Sequence, residues 1–254
     1  PLPEEPESPQ PEDPDASQPD EPGDSAGSVN ATLTSAHVRY LGGYEDRSVR
    51  PERQVTRAEA AAIIYRLLEN ADSGSGTCSY TDVKDSDWFA NDVRALCRLG
   101  LLDDGTTFRP NDAITRAEIV DLIVRLAPQT RASASFSDVP ADYWAAEQIA
   151  IAASLGWVGG YEDGTFLPTK AINRQEMAKV LYGYDKTMGK NAEGITEKLT
   201  YTDLDTISDW ALESVTYCTA AKYLAGSNGA FSPKGTATRA MGAKVLMNMT
   251  KEAA

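Results

Sequence analysis

The stretch "GYEDGTFLPTKAINRQE", Gly160 to Glu176, decides the fold, because the chain writes it more than once. "DDGTTFRPNDAITRAE" runs from Asp103 to Glu118, and "GYEDRSVRPERQVTRAE" from Gly43 to Glu59. An arginine opens the closing helix of each copy: Arg57, Arg116, Arg174 and Arg239, spaced 59, 58 and 65 residues apart. Six residues before each stands a proline (Pro51, Pro110, Pro168, Pro233), and eight before each an apolar residue (Val49, Phe108, Phe166, Phe231). Three positions agreeing in four copies at a near-constant period mark a repeat protein, whose units stack because none buries its apolar face alone.

A second half-motif precedes the last three arginine helices: "YTDVKDSDW" (Tyr80–Trp88), "FSDVPADYW" (Phe136–Trp144) and "YTDLDTISDW" (Tyr201–Trp210). The first copy lacks it. A full unit therefore reads as a helix after the Asp–Trp pair, a turn at Asp104-Gly105, Asp163-Gly164 or Asn228-Gly229, an aromatic plug, a proline, and the arginine helix. Gly100, Gly156 and Gly226 are expected to end the first helix of each unit. "TRAE" at Thr56 and Thr115, and "NRQE" at Asn173, predict capping boxes. Helical spacing of Ile63, Ile64 and Leu67, and of their counterparts, predicts an apolar stripe on each. In the fourth copy Met241 replaces the box glutamate and Gly242 interrupts the helix, so that helix is expected to be the most weakly held. The fold class predicted is all-α.

Three residue types recur without an obvious structural excuse. A cation at the first helical turn is disfavoured by the helix dipole by roughly 0.3–1 kcal/mol. The arginines are thus read either as braces on a preceding loop or as anion contacts, for which a guanidinium at a helix N-terminus suits a carboxylate. Trp88, Trp144 and Trp210 are either core residues or apolar walls for a sugar ring. Asp82, Asp138 and Asp203 either make turns before their helices or accept ligand hydroxyls.

The 254 residues carry a net charge of −14, and residues 1–30 hold nine acids with no lysine or arginine. That proline-rich start is expected to be an extended linker with sequence upstream of it. The acidity argues against nucleic acid. No apolar run approaches the roughly 20 residues of a membrane span. Three cysteines make no disulfide framework: Cys97 and Cys218 read as buried, Cys78 as a free thiol. His37 is the only histidine, and no nucleophile–base pair, phosphate loop or complete calcium loop is present. No enzyme, cofactor or metal is expected.

"FSDVPADYWAAEQIAIAASLGWVGGYEDGTFLPTKAINRQE" closely resembles an S-layer homology (SLH) repeat, and "GYEDRSVRPERQVTRAEAAAIIYRLL" resembles a shortened first repeat of that family. The units would be a linker at 1–30, a shortened repeat at 31–72, full repeats at 78–128 and 134–186, and a divergent one at 199–251. The resemblance implies a pseudo-trimeric helical bundle with prongs. Either units one to three form it with unit four beside, or units two to four form it with unit one as a cap. It implies grooves between prongs that bind secondary cell-wall polysaccharide bearing pyruvate ketals, tethering an exported protein or S-layer subunit outside the bacterial cell. Position by position, the implied carbohydrate contacts are Asp82, Trp88, Arg116, Asp138, Trp144, Gly160, Arg174, Asp203, Trp210 and Arg239, with Arg57 and Gly43 in the shortened unit. The alternatives are direct peptidoglycan binding or a protein–protein module of the envelope.

Overall fold

A computed structural model describes residues 46, 48–69, 71–103, 105–128, 132–190, 195 and 198–249. The acidic start, His37 and Gly43 lie outside the described residues. Among those described, seven α-helices and no strand occur: α1 (Arg57–Leu67), α2 (Ala90–Arg98), α3 (Arg116–Arg125), α4 (Ala146–Ser154), α5 (Arg174–Thr187), α6 (Asp209–Ala220) and α7 (Arg239–Met249). The all-α class follows.

Helices α1, α3 and α5 begin with complete capping boxes. Thr56, Thr115 and Asn173 each accept the N–H of the glutamate three residues on, and that glutamate accepts the cap residue's own N–H. Two more N-terminal donors remain, and no side chain of the same unit reaches them. They are satisfied by the next unit. Arg57 and Ala58 donate to the Asp112 and Pro110 carbonyls, at 2.9 and 3.0 Å. Arg116 and Ala117 donate to Lys170 and Pro168; Arg174 and Gln175 donate to Gly235 and Pro233. Arg239 and Ala240 then donate back to Arg53 and Pro51, at 2.9 and 3.1 Å. Isolated β-bridges follow the same circuit: Thr56 with Ala113, Thr115 with Ala171, Asn173 with Thr236, and Gln54 with Thr238.

The circuit closes with four members, so all four units enter the bundle and none is left beside it or as a cap. The physical reason is the donor count at each helix start. The orphan N–H groups that open α7 find the unit-one loop. The four arginine helices point their stripes inward around one apolar space lined by Ile63, Ile64 and Leu67 of α1, Leu122 and Ile123 of α3, Leu181 of α5 and Val245 of α7. Gly242 lies where α7 passes α1: a Cβ there would come within 3.3 Å of Ile63 Cδ1. The first helix of each following unit packs outside, α2 on α1, α4 on α3 and α6 on α5.

Gly100 and Gly156 end their helices with φ of 76° and 73°, as read from the sequence. Gly226 does not end α6. Lys222 does, at φ 62°. Gly226 serves another purpose, since a Cβ on it would fall 2.5 Å from the Tyr201 ring.

Candidate functional site

Each loop is built around an aromatic plug. Phe108, Phe166 and Phe231 are 1%, 0% and 0% exposed. The residue after each plug takes a left-handed conformation directly before a proline: Arg109 (φ 56°), Leu167 (55°) and Ser232 (55°), with Arg50 (48°) in unit one. Non-glycine residues resist that conformation, and a following proline narrows their choice further. The repeated aspartates hold it. Asp82 accepts the N–H of Phe108 and of Arg109, both at 2.7 Å. Asp138 accepts from Phe166 and Leu167, and Asp203 from Phe231 and Ser232, at 2.7–2.8 Å. Desolvation opposes ionisation of Asp203, but these two N–H donors help to outweigh it and its carboxyl sits below the usual range. All three carboxylates clamp their own loop, and none lines a described cleft.

The arginines reach from one unit to the plug of the next. Arg57 donates to the Phe108 carbonyl (2.6 Å), Arg116 to Phe166 (3.1 Å), Arg174 to Phe231 (2.6 Å) and Arg239 to Val49 (3.1 Å). The first three guanidiniums also lie 4.3–4.8 Å from the plug ring they face. Three then pair with the capping-box glutamate of the next unit: Arg57 with Glu118, Arg116 with Glu176 at 3.4 Å, and Arg239 with Glu59. The carboxylate that a ligand was expected to bring is supplied there by the protein. Arg174 is the exception, because Met241 stands where the glutamate would. It keeps two carbonyl contacts, to Phe231 and Ala225, and no carboxylate pairs with it among the described residues. Desolvation lowers its pKa.

The tryptophans behave differently. Trp88, Trp144 and Trp210 are 60%, 48% and 50% exposed, so they are not core residues. Trp157, which the repeat did not single out, is the buried one at 1%. Two of the exposed rings wall clefts assembled from three successive units. A cleft of about 210 Å³ brings together Arg57 of unit one, the Phe108 loop and α3 of unit two, and Trp144 of unit three. A cleft of about 960 Å³ brings together Arg116 of unit two, the Gly159–Asp163 loop and α5 of unit three, and Trp210 of unit four. Gly160 sits in this loop because a Cβ would fall 2.7 Å from Phe136. Trp88, Arg174 and Arg239 line neither described cleft. Each described cleft thus takes its tryptophan and its arginine from different units and leaves the repeated aspartates outside.

Sequence reasoning missed other lining residues. Tyr161 donates to Glu176 Oε1 at 2.5 Å and accepts from Lys170 Nζ at 2.8 Å; burial and that carboxylate hold its phenol above its ordinary range. Lys179 and Lys234 complete the larger cleft. In the smaller one, burial pushes the Asp121 carboxyl up to about 6 in spite of Arg125. Among the described residues no cluster of His, Cys, Asp and Glu could hold a metal ion, and no helix is long and apolar enough to cross a membrane. Cys97 and Cys218 are buried, Cys78 is partly exposed, and none of the three is in a disulfide.

The profile of the S-layer homology domain matches residues 40–61, 79–120, 135–178 and 200–240, more than half of the chain. The chain belongs to the S-layer homology family. Among similar proteins, cell surface glycoprotein 1 of Acetivibrio thermocellus is 36% identical over 60% of this chain and 7% of its own length. An amylopullulanase of Thermoanaerobacterium thermosulfurigenes is 34% identical over 62% of this chain and 9% of its own length. The cellulosome-anchoring protein of A. thermocellus is 31% identical over 58% of this chain and 36% of its own length. The S-layer homology chain thus spans a minor part of each relative, and the catalytic name belongs to a far longer protein. Family and relatives make it a cell-wall anchoring module, located outside the cell at the bacterial envelope.

Proposed function

We propose that the clefts between units bind secondary cell-wall polysaccharide, an anionic glycan bearing pyruvate ketals, and so hold the protein carrying this chain at the wall. The observation that carries the reading is the exposure of the repeated tryptophans, at 48–60%, with two of them forming cleft walls. Large aromatics left in water mark binding surfaces. A flat indole suits the apolar face of a sugar ring. The arginines serve this purpose indirectly. By tying each plug loop to the preceding helix they fix the cleft floor, and the tryptophan of the unit after supplies the wall.

A chain of charge −14 that binds an anionic polymer is consistent with screening, since physiological salt damps fields beyond about 8 Å. Several modest clefts on one polymer strand add through effective concentration. Co-sedimentation with purified cell walls tests the reading. The intact chain pellets with native walls, and it stays in solution with walls stripped of pyruvate ketals or when Trp144→Ala and Trp210→Ala are combined. Pelleting unchanged by both treatments overturns the proposal.

A further inference from the structure

The two clefts are built to one plan yet differ in charge at matched positions. Counted from the arginine that opens each unit's second helix, Lys170 of unit three corresponds to Asp112 of unit two, four residues before. Lys179 corresponds to Asp121, five residues after. The residue following the proline of the unit that gives the tryptophan is Lys234 in one case and Thr169 in the other. Three lysines in the larger cleft thus replace two aspartates and a threonine.

The partners differ as well. In the smaller cleft every charge is answered from within the protein. Asp121 accepts from Arg125 Nε at 2.7 Å, Asp103 pairs with Arg125 at 2.9 Å, and Glu118 takes both Arg57 and Arg109; Asp112, just before α3, pairs with Arg109. In the larger cleft Arg116 and Glu176 satisfy each other at the floor. Lys170 is spent on the Tyr161 hydroxyl, which leaves its positive charge uncompensated by any carboxylate contact. Lys179 is partly buried and Lys234 exposed, and among the described residues neither has an ion-pair or hydrogen-bond partner. Partly burying an unpaired ammonium beside an open cleft is unfavourable unless an anion joins it. Size agrees with charge. The larger cleft, about 960 Å³, sits at the top of the roughly 300–1,000 Å³ range of ligand sites, and the smaller falls below it at about 210 Å³.

We propose that recognition of negative charge is confined to the cleft between units three and four, where Lys170, Lys179 and Lys234 meet the carboxylates of the glycan. The cleft between units two and three takes an uncharged part of the polymer. This rests on the glycan reading above, and the test separates the two. The probe is a hexosamine oligosaccharide carrying pyruvate ketals, with its carboxylate methyl ester as the neutral isostere, measured by isothermal titration. Lys179→Gln with Lys234→Gln weakens binding of the acid form about tenfold, as loss of two charge contacts at the solvent-facing cleft implies. The methyl ester binds the intact chain as weakly as the acid form binds this variant, and the salt dependence flattens. Arg109→Gln, in the smaller cleft, leaves the preference for the acid over the ester and its salt dependence unchanged. If Trp210→Ala abolishes binding while the double lysine variant binds like the intact chain, the glycan reading stands and this inference is wrong. Loss of that preference in Arg109→Gln also overturns it. If the intact chain binds neither oligosaccharide, both fail.

Discussion

Arg116 opens α3 where the helix dipole disfavours a cation, and it is only 3% exposed. The explanation lies in its partners. Its guanidinium bonds the Phe166 and Gly159 carbonyls at 3.1 Å each, faces the Phe166 ring and pairs with buried Glu176. Removing one member of a buried ion pair costs about 3–5 kcal/mol, because the other charge is left uncompensated. Arg116→Ala is therefore expected to destabilise the fold on that scale. Arg174→Ala breaks two carbonyl contacts and no ion pair, and costs closer to 2 kcal/mol at about 1 kcal/mol per hydrogen bond. Urea unfolding midpoints check the order; equal losses, or none for Arg116→Ala, would contradict the bracing role. The sequence announced these arginines as unusual and offered two roles. It could not choose, since the choice depends on a carboxylate and a carbonyl delivered by the next unit.

At the scale of elements, α5 shows where local preference yields to packing. Gly183 lies inside the helix, where alanine would be better by about 1 kcal/mol. A Cβ at that point would overlap the ring of Trp157, which is fully enclosed, edge-on to Tyr184 and bonded through its indole to Thr187 at 3.1 Å. Overpacking a dense core costs typically about 1–3 kcal/mol, so Gly183→Ala is expected to destabilise on balance. Leu101 holds the position in unit two that Trp157 holds in unit three. Combining Gly183→Ala with Trp157→Leu should therefore recover part of the loss, and thermal unfolding of the double-mutant cycle reads the coupling. Simple additivity would contradict the contact. Helix starts were legible in the residues because the capping signals are local. Three boxes form as read, at Thr56, Thr115 and Asn173. The end of α6 was not legible. Nothing nearby marks Lys222 as left-handed, and the glycine that looked like the stop is held close to Tyr201 instead.

For the whole molecule, the decisive contacts join the two ends of the described chain. Arg239 meets Glu59 and the Val49 carbonyl, a partner 190 residues away in sequence. Such a link is invisible to a reading that works along the chain, which is why four units were sorted into three and a spare. Removing residues 199–254 tests closure. Their loss strips the Arg239 partner from Glu59 and opens the apolar centre around Ile63 and Ile64. The truncated protein is expected to unfold at a clearly lower temperature and to bind a hydrophobic dye. An unchanged midpoint would mean that unit four is an accessory and the ring is not a unit of stability.

Each described cleft borrows from three consecutive units, so on the proposed reading a tryptophan serves only where the packing carries it over its neighbour's loop. The most direct measurement follows the four tryptophan indole N–H resonances while a pyruvylated wall oligosaccharide is added. The account predicts that the Trp210 and Trp144 signals shift with saturation and that the Trp157 signal, enclosed at 1% exposure, stays in place. Saturable wall binding with the Trp144 and Trp210 signals unmoved would contradict it.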